Sequence, residues 1–312
     1  MDTNQLKFRV ALISVASNTL LVGVKLMIGL SIGSVAGISE AAHSAMDLVA
    51  AFIAFLAVRA SGKPADSDHP FGHGKFENIS GAIEALLIFG AAIWIIWEAI
   101  GKLLHPSALE APALGAAVMA LSAVVNIAVS SLLFRVGKAT DSIALKADAW
   151  HLRTDVYTSL GVMAGMAVLW CHDRWFPGID LHWVDPVAAM LVALLILRAA
   201  WELTLQSVRD LLDVRLPPDE EERIKEVLRQ RHPELMGYHK FKTRKSGATR
   251  FVEFHALVAP DMPVNESHRI NHDIAEEIRA LFPGTHVMVH IEPCEKNCDP
   301  TCLETCLRKP AD

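Results

Sequence analysis

Hydropathy divides the chain in two. From about residue 10 to residue 204, apolar stretches alternate with short polar connections and predict membrane helices at roughly 10–30, 36–58, 78–101, 112–134, 144–170 and 184–204. Each stretch supplies the ~20 residues that a helix needs to cross a hydrocarbon core of ~30 Å. Beyond that the periods change. DEEERIKEVLRQ (219–230) spaces its apolar positions as an amphipathic helix, YHKFKTR (238–244) and TRFVEFHALVA (249–259) alternate as strands around a Ser246–Gly247 turn, NESHRINHDIAEEIRALF (265–282) is a second helix, and THVMVHIEP (285–293) is a last strand. The order αββαβ predicts a small ferredoxin-like α+β sandwich behind a six-helix membrane domain, with boundaries at 1–207, 208–293 and a tail at 294–312. In the last strand Val287, Val289 and Ile291 share one face, while His286, Met288, His290 and Glu292 share the other. One face is expected to pack and the other to bind.

Composition sharpens the division. A chain of 312 residues that is 52% hydrophobic yet 21% charged cannot be evenly mixed, and its charge is concentrated after Gln206. An even number of spans puts both termini on one side. Lys7, Arg9, Arg59, Lys63, Lys75, Arg135, Lys138 and Lys146 fall there, against Lys102 and Arg174 opposite, so the positive-inside rule makes that side cytoplasmic and the cell membrane the expected location. MDTNQLKFRV lacks the basic region and short apolar core of a cleavable signal, so the first span is expected to stay. A net charge of −6 gives no reason to expect a nucleic-acid partner.

The spans carry polar groups that require an explanation. EAAHSAMD (40–47) and DAWHLRTD (148–155) both read acid-x-x-His-x-x-x-Asp, which aligns three polar groups along one helical stripe. A charged side chain at mid-span costs roughly 2.5–3.5 kcal/mol on insertion scales. If the second and fifth spans face each other, His43, Asp47, His151 and Asp155 come to one depth and form a plausible tetrahedral shell for Zn²⁺. Either helix alone would read more simply as one with a helix-to-helix hydrogen bond; the duplication favours the metal. Glu40 and Asp148 stay outside that shell, as capping, solvated or relay groups. The loop KPADSDHPFGHGKFENIS (63–80) packs Asp66, Asp68, His69, His73 and Glu77 around glycines, which suits either a second metal site or a solvated polar loop.

HPFGHGKFE (69–77), the two His-x-x-x-Asp pairs, NTLLVGVKLMIGLSIGS (18–34) and ADAWHLRTDVYTSLGV (147–162) together resemble the cation diffusion facilitator family of divalent-metal exporters, over nearly the whole chain. The resemblance implies a homodimer of six-span protomers that exchange a metal ion for protons, with Zn²⁺ as substrate and structural ion and with lipid as surroundings. It maps the transport site to His43, Asp47, His151 and Asp155, the loop site to Asp66, His69 and His73, and ligands of the cytoplasmic domain to His239, His255, His268, His290 and Glu292. It also implies that a histidine at position 43 favours zinc over cadmium. Where relatives often carry Asp, this chain has Glu292, which keeps the carboxylate and lengthens its reach.

The tail departs from the family. Cys294, Cys298, Cys302 and Cys306 recur every four residues, and reduced cytoplasmic thiolates could capture Zn²⁺ or Cu⁺, although Pro300 interrupts a continuous helical stripe. An intramembrane metallohydrolase is disfavoured, because no His-Glu-x-x-His occurs and a complete four-ligand shell leaves no position for water. A membrane-anchored metal sensor needs no ligands at membrane depth. An exporter of Fe²⁺, Co²⁺ or Cd²⁺ would use similar ones.

Overall fold

The computed structural model describes residues 3–32, 35–104, 113–175, 183–231, 234–295 and 304–307. The chain forms two compact units, Met1–Val208 and Arg209–Asp312.

The first unit contains long helices α1 (Thr3–Ile32), α2 (Val35–Ser61), α3 (Lys75–Leu104), α4 (Ala113–Ala139), α5 (Ile143–Trp175) and α6 (Val184–Leu211). Every one outlasts the span expected from its apolar run. Thirty residues rise about 45 Å, so α1 and α3, at 30 residues each, have polar ends to spare beyond a hydrocarbon core. Among the described residues five of these helices are long and apolar enough to cross a membrane. The first half of α5 holds Lys146, Asp148, His151, Arg153 and Asp155.

Four helices share one core, in which Val10 and Ala11 of α1, Ala57 and Val58 of α2, Val129 and Leu133 of α4, and Ala144, Ala149 and Leu152 of α5 are buried together. Alanines at the contacts let backbones approach closely, which is what drives helix association where lipid is as apolar as leucine. A second core joins α3 and α6 to the side of α5 through Ala85, Ile88, Ile143, Ile196 and Leu203. Large apolar side chains such as Leu20, Met27, Trp94, Trp97 and Leu195 lie on the outside, as a lipid-facing surface requires.

The second unit comprises α7 (Pro218–Gln230), β1 (Gly237–Ser246), β2 (Thr249–Val258), α8 (Val264–Leu281) and β3 (His286–Pro293), the expected αββαβ order. Its sheet runs β1-β2-β3, with β1 antiparallel and β3 parallel to β2. A parallel neighbour demands a crossover, and α8 provides it. The turn between β1 and β2 works because Gly247 takes a φ of 58°. Val252, Phe254, Ala256 and Val258 of β2 pack with Val287, Val289 and Ile291 of β3 against Ile224 and Leu228 of α7 and Ile270, Ile274 and Ile278 of α8. The opposite face is left to His239, His255, His290 and Glu292.

Candidate metal centres

Near the middle of α2 and in the first half of α5, ligand atoms of His43, Asp47 and Asp155 lie within 4.8 Å of one another. The i, i+4 spacing puts His43 above Asp47 on one face of α2, and the packing of α2 on α5 brings Asp155 opposite. His151, the fourth expected ligand, is placed differently. Its Nε2 lies 3.2 Å from Asp47 Oδ1, and it stands outside the three-residue cluster. It therefore borders the cluster through Asp47, while its buried Nδ1 has no hydrogen-bond partner among the described residues. Asp155 Oδ2 is likewise buried without one. Two orphaned polar atoms beside two carboxylates suit a site meant for a cation.

The cluster opens onto a cavity of about 140 Å³ whose wall also includes Asn18, Lys25, Ser44 and Asn126. Sequence reasoning missed these four. Lys25 Nζ donates to Ser44 Oγ at 2.7 Å, which aims a cation at the wall of the same cavity. Their signal was present in the form of polar residues inside α1, α2 and α4, but no duplicated pattern marked them. Asp148 is fully buried six residues into α5, so neither solvation nor capping accounts for it. The side chain of Glu40 lies outside the described residues.

In the loop between α2 and α3, Asp66 receives the backbone N–H of His69 on Oδ1 at 2.7 Å, and its two oxygens lie 3.3 Å from His69 Nδ1 and from His73 Nε2. Gly72, with φ of 81°, lets the chain double back so that the imidazoles stand with centroids 4.3 Å apart. The three ligand atoms fall within 4.8 Å. The His69 backbone N–H above all, with the nearby His73 ring, holds the Asp66 carboxyl below the usual carboxylate range. Such a carboxylate is ready for metal without losing a proton first. Glu77, which the sequence placed in this crowd, belongs elsewhere. It accepts from Lys7 Nζ at 2.8 Å and from Ser61 at 2.8 Å, and also from Ser142, thereby tying α1, α2 and the start of α5 to α3.

The third cluster is on the open face of the sheet. His239 and His255 are paired across β1 and β2, and His255 and His290 across β2 and β3. Glu292 lies 2.8 Å from His239 Nε2 and 2.7 Å from His255 Nδ1, and His290 Nε2 is 3.5 Å away. Burial opposes charge on Glu292, but the hydrogen bonds with the two imidazoles prevail and hold its carboxyl below the usual range. Among the described residues His239 Nδ1 is buried and unpartnered. His268, expected in this group, is exposed on the first turns of α8 and stands outside the cluster of His239, His255 and Glu292. A helix start pointing to solvent separates it from a sheet face.

In the tail, Cys294 is buried against Leu257 and Met236, and Cys306 directs Sγ at the Met236 carbonyl at 3.8 Å. Cys294 is a free thiol, and Cys298 and Cys302 lie outside the described residues.

A bundle of long apolar helices with a His/Asp cluster inside, joined to a small α+β domain bearing a His/Glu cluster, defines a membrane protein built to handle metal cations. Two family models match in succession: the cation efflux transmembrane domain over residues 11–212 and the cation efflux protein cytoplasmic domain, a dimerisation domain, over residues 216–294. The chain belongs to the cation efflux family, the cation diffusion facilitators, which are transporters and not enzymes. It is 34% identical to an uncharacterized transporter of Synechocystis sp. over 285 residues, 91% of this chain and 90% of that one. It is 30% identical to the cation-efflux pump FieF of Cronobacter sakazakii over 293 residues, 94% and 95% of the two chains. A solved structure of CzrB in its zinc form is 37% identical, and the match covers 27% of this chain and 96% of that one, with a TM-score of 0.26.

Proposed function

We propose that this transporter exports a divalent cation, Zn²⁺ foremost, in exchange for protons, and that His43, Asp47, His151 and Asp155 hold the ion in transit. The observation that carries the proposal is the convergence of His43, Asp47 and Asp155 on a cavity inside the helical bundle, with His151 against Asp47. Metal binding requires deprotonated ligands, so protons arriving from the far side compete for the same atoms and link release to proton uptake. Histidine suits that competition because its ordinary pKa of about 6.5 lies near working pH. Alternating access is rocking of one helix group around this site. His151 then rotates from Asp47 to the ion to complete four ligands. In this proposal the termini and C-terminal domain are cytoplasmic, the protein is a homodimer in the cell membrane, and the loop and sheet clusters bind metal on the cytoplasmic side. A sensor without transport is disfavoured by a ligand cluster inside the helical bundle, which detection alone does not need. Thiol capture by the tail remains part of the proposal.

The test is metal flux into proteoliposomes under an imposed pH gradient, with Zn²⁺, Fe²⁺, Co²⁺ and Cd²⁺ compared. Zinc uptake that collapses with the gradient is expected. Zinc flux indifferent to the gradient would refute proton coupling, and no flux of any metal would refute export. In the same assay His43→Asp should relax rejection of Cd²⁺, because an all-oxygen α2 no longer favours the smaller ion. Unchanged zinc-to-cadmium preference would remove His43 as the selecting ligand.

A further inference from the structure

Residues 304–307 run along the beginning of β1. Leu307 N–H donates to Met236 O at 3.0 Å and Tyr238 N–H to Thr305 O at 3.4 Å, while the Thr305 hydroxyl donates to the Tyr238 carbonyl. Gly237 and Cys306 form an antiparallel bridge. Since β1 is an edge of the sheet, this segment partners backbone groups that a sheet edge otherwise leaves open. It is strand addition by the chain's own tail.

Gly237 permits the approach. A Cβ there would meet the Thr305 carbonyl oxygen at 3.2 Å and Cys306 Cα at 3.4 Å, both backbone atoms that cannot rotate aside. His239 follows two residues later. Just beyond it the ladder to β2 slips, Lys240 takes a φ of 50°, and pairing resumes only at Lys242 opposite Glu253. Bulges of this kind re-aim side chains and bend the strand. His239 therefore stands between an irregular stretch and a stretch held on both edges, by β2 on one side and the tail on the other.

We infer that residues 304–307 are a strap that positions His239 in the His239–His255–Glu292 cluster, so that docking of the tail and metal binding on the sheet face are coupled; this rests on the proposal that the cluster binds metal. His239 is a positioning target, because its Nε2 must reach the same point as Glu292 and His255, and a strand free to shift at a bulge would not keep it there. Coupling between two binding events is reciprocal, so metal on the cluster must also hold the strap down. Within the strap Cys306 directs Sγ at the Met236 carbonyl, and the docking itself is carried by the backbone bonds.

The experiment uses the full chain in detergent, with calorimetric Zn²⁺ titration for binding and amide exchange at Tyr238 and Leu307 for docking. His255→Ala identifies the binding event that belongs to the cluster. Gly237→Val should expose both amides and weaken that event by roughly 10–100-fold, the range for partners that orient a metal ligand, leaving the other events as they are. Zinc should slow exchange at both amides in the native chain but not in His255→Ala. Deletion of residues 304–312 should repeat the Gly237→Val result without touching β1, which covers the case of a valine the sheet does not tolerate. Loss of amide protection with undiminished affinity overturns the inference. If His255→Ala removes no binding event, the metal assignment of the cluster fails and the strap's role falls with it.

Discussion

Asp47→Ala and Asp155→Ala are each expected to abolish proton-driven metal flux while the chain remains folded. Both carboxylates face the cavity in the bundle, and between them they supply the negative charge that offsets a divalent ion where water cannot. Loss of a residue that merely orients a ligand costs roughly 10–100-fold in metal affinity, so loss of a ligand itself should cost more. The fold should tolerate the change, because a carboxylate buried without metal is a liability that alanine removes. Asp47→Ala also frees His151 Nε2 from its 3.2 Å contact, and Asp47→Asn serves as the control that keeps the shape and a hydrogen bond but not the charge. The variants are to be compared in proteoliposomes after size-exclusion has shown them monodisperse. Native-like flux in either alanine variant would sink the transport-site assignment.

Glu77→Ala should be the most damaging single change to stability. Lys7 is 5% and Glu77 1% exposed, and their 2.8 Å pair lies where four chain segments meet. Removing one partner of a buried pair leaves the other charge without compensation, at about 3–5 kcal/mol, a large share of the roughly 5–15 kcal/mol that holds a domain together. The expected readout is a sharp fall in the yield of monodisperse protein and in its thermal midpoint. Lys7→Met combined with Glu77→Leu should recover much of the loss, since apolar replacements of both partners are often neutral. A Glu77→Ala protein as stable as the native chain would show that water reaches Lys7 and that the pair contributes little.

Much of this was legible in the order of residues. Apolar runs of span length can be satisfied only by helices in lipid, because every backbone group must be paired internally; hence α1 to α6 could be placed before any contact was known. The alternation of Val287, Val289 and Ile291 with His286, Met288 and His290 likewise dictated which face of β3 would pack, since side chains on a strand can point only two ways. Two stripes four residues apart on two helices were enough to single out His43, Asp47, His151 and Asp155.

Packing decided the remainder. Nothing local says that His151 pairs with Asp47 instead of joining His43 and Asp155, because i, i+4 spacing gives a face but not the rotation of one helix against another. Asn18, Lys25, Ser44 and Asn126 became cavity walls only when α1, α2 and α4 closed around it. Glu77 looked like a loop ligand because its neighbours in sequence were candidate ligands, yet its Lys7 partner is 70 residues away. His268 was a ligand by family resemblance and stands outside the cluster of His239, His255 and Glu292, and the strap depends on a contact between Gly237 and Cys306. Sequence by itself determined what each segment must be, since helix, strand and exposed face follow from periods of a few residues. Tertiary structure alone decided which charges meet, because the free energy of a buried charge depends on whatever distant groups the fold brings within about 3 Å of it.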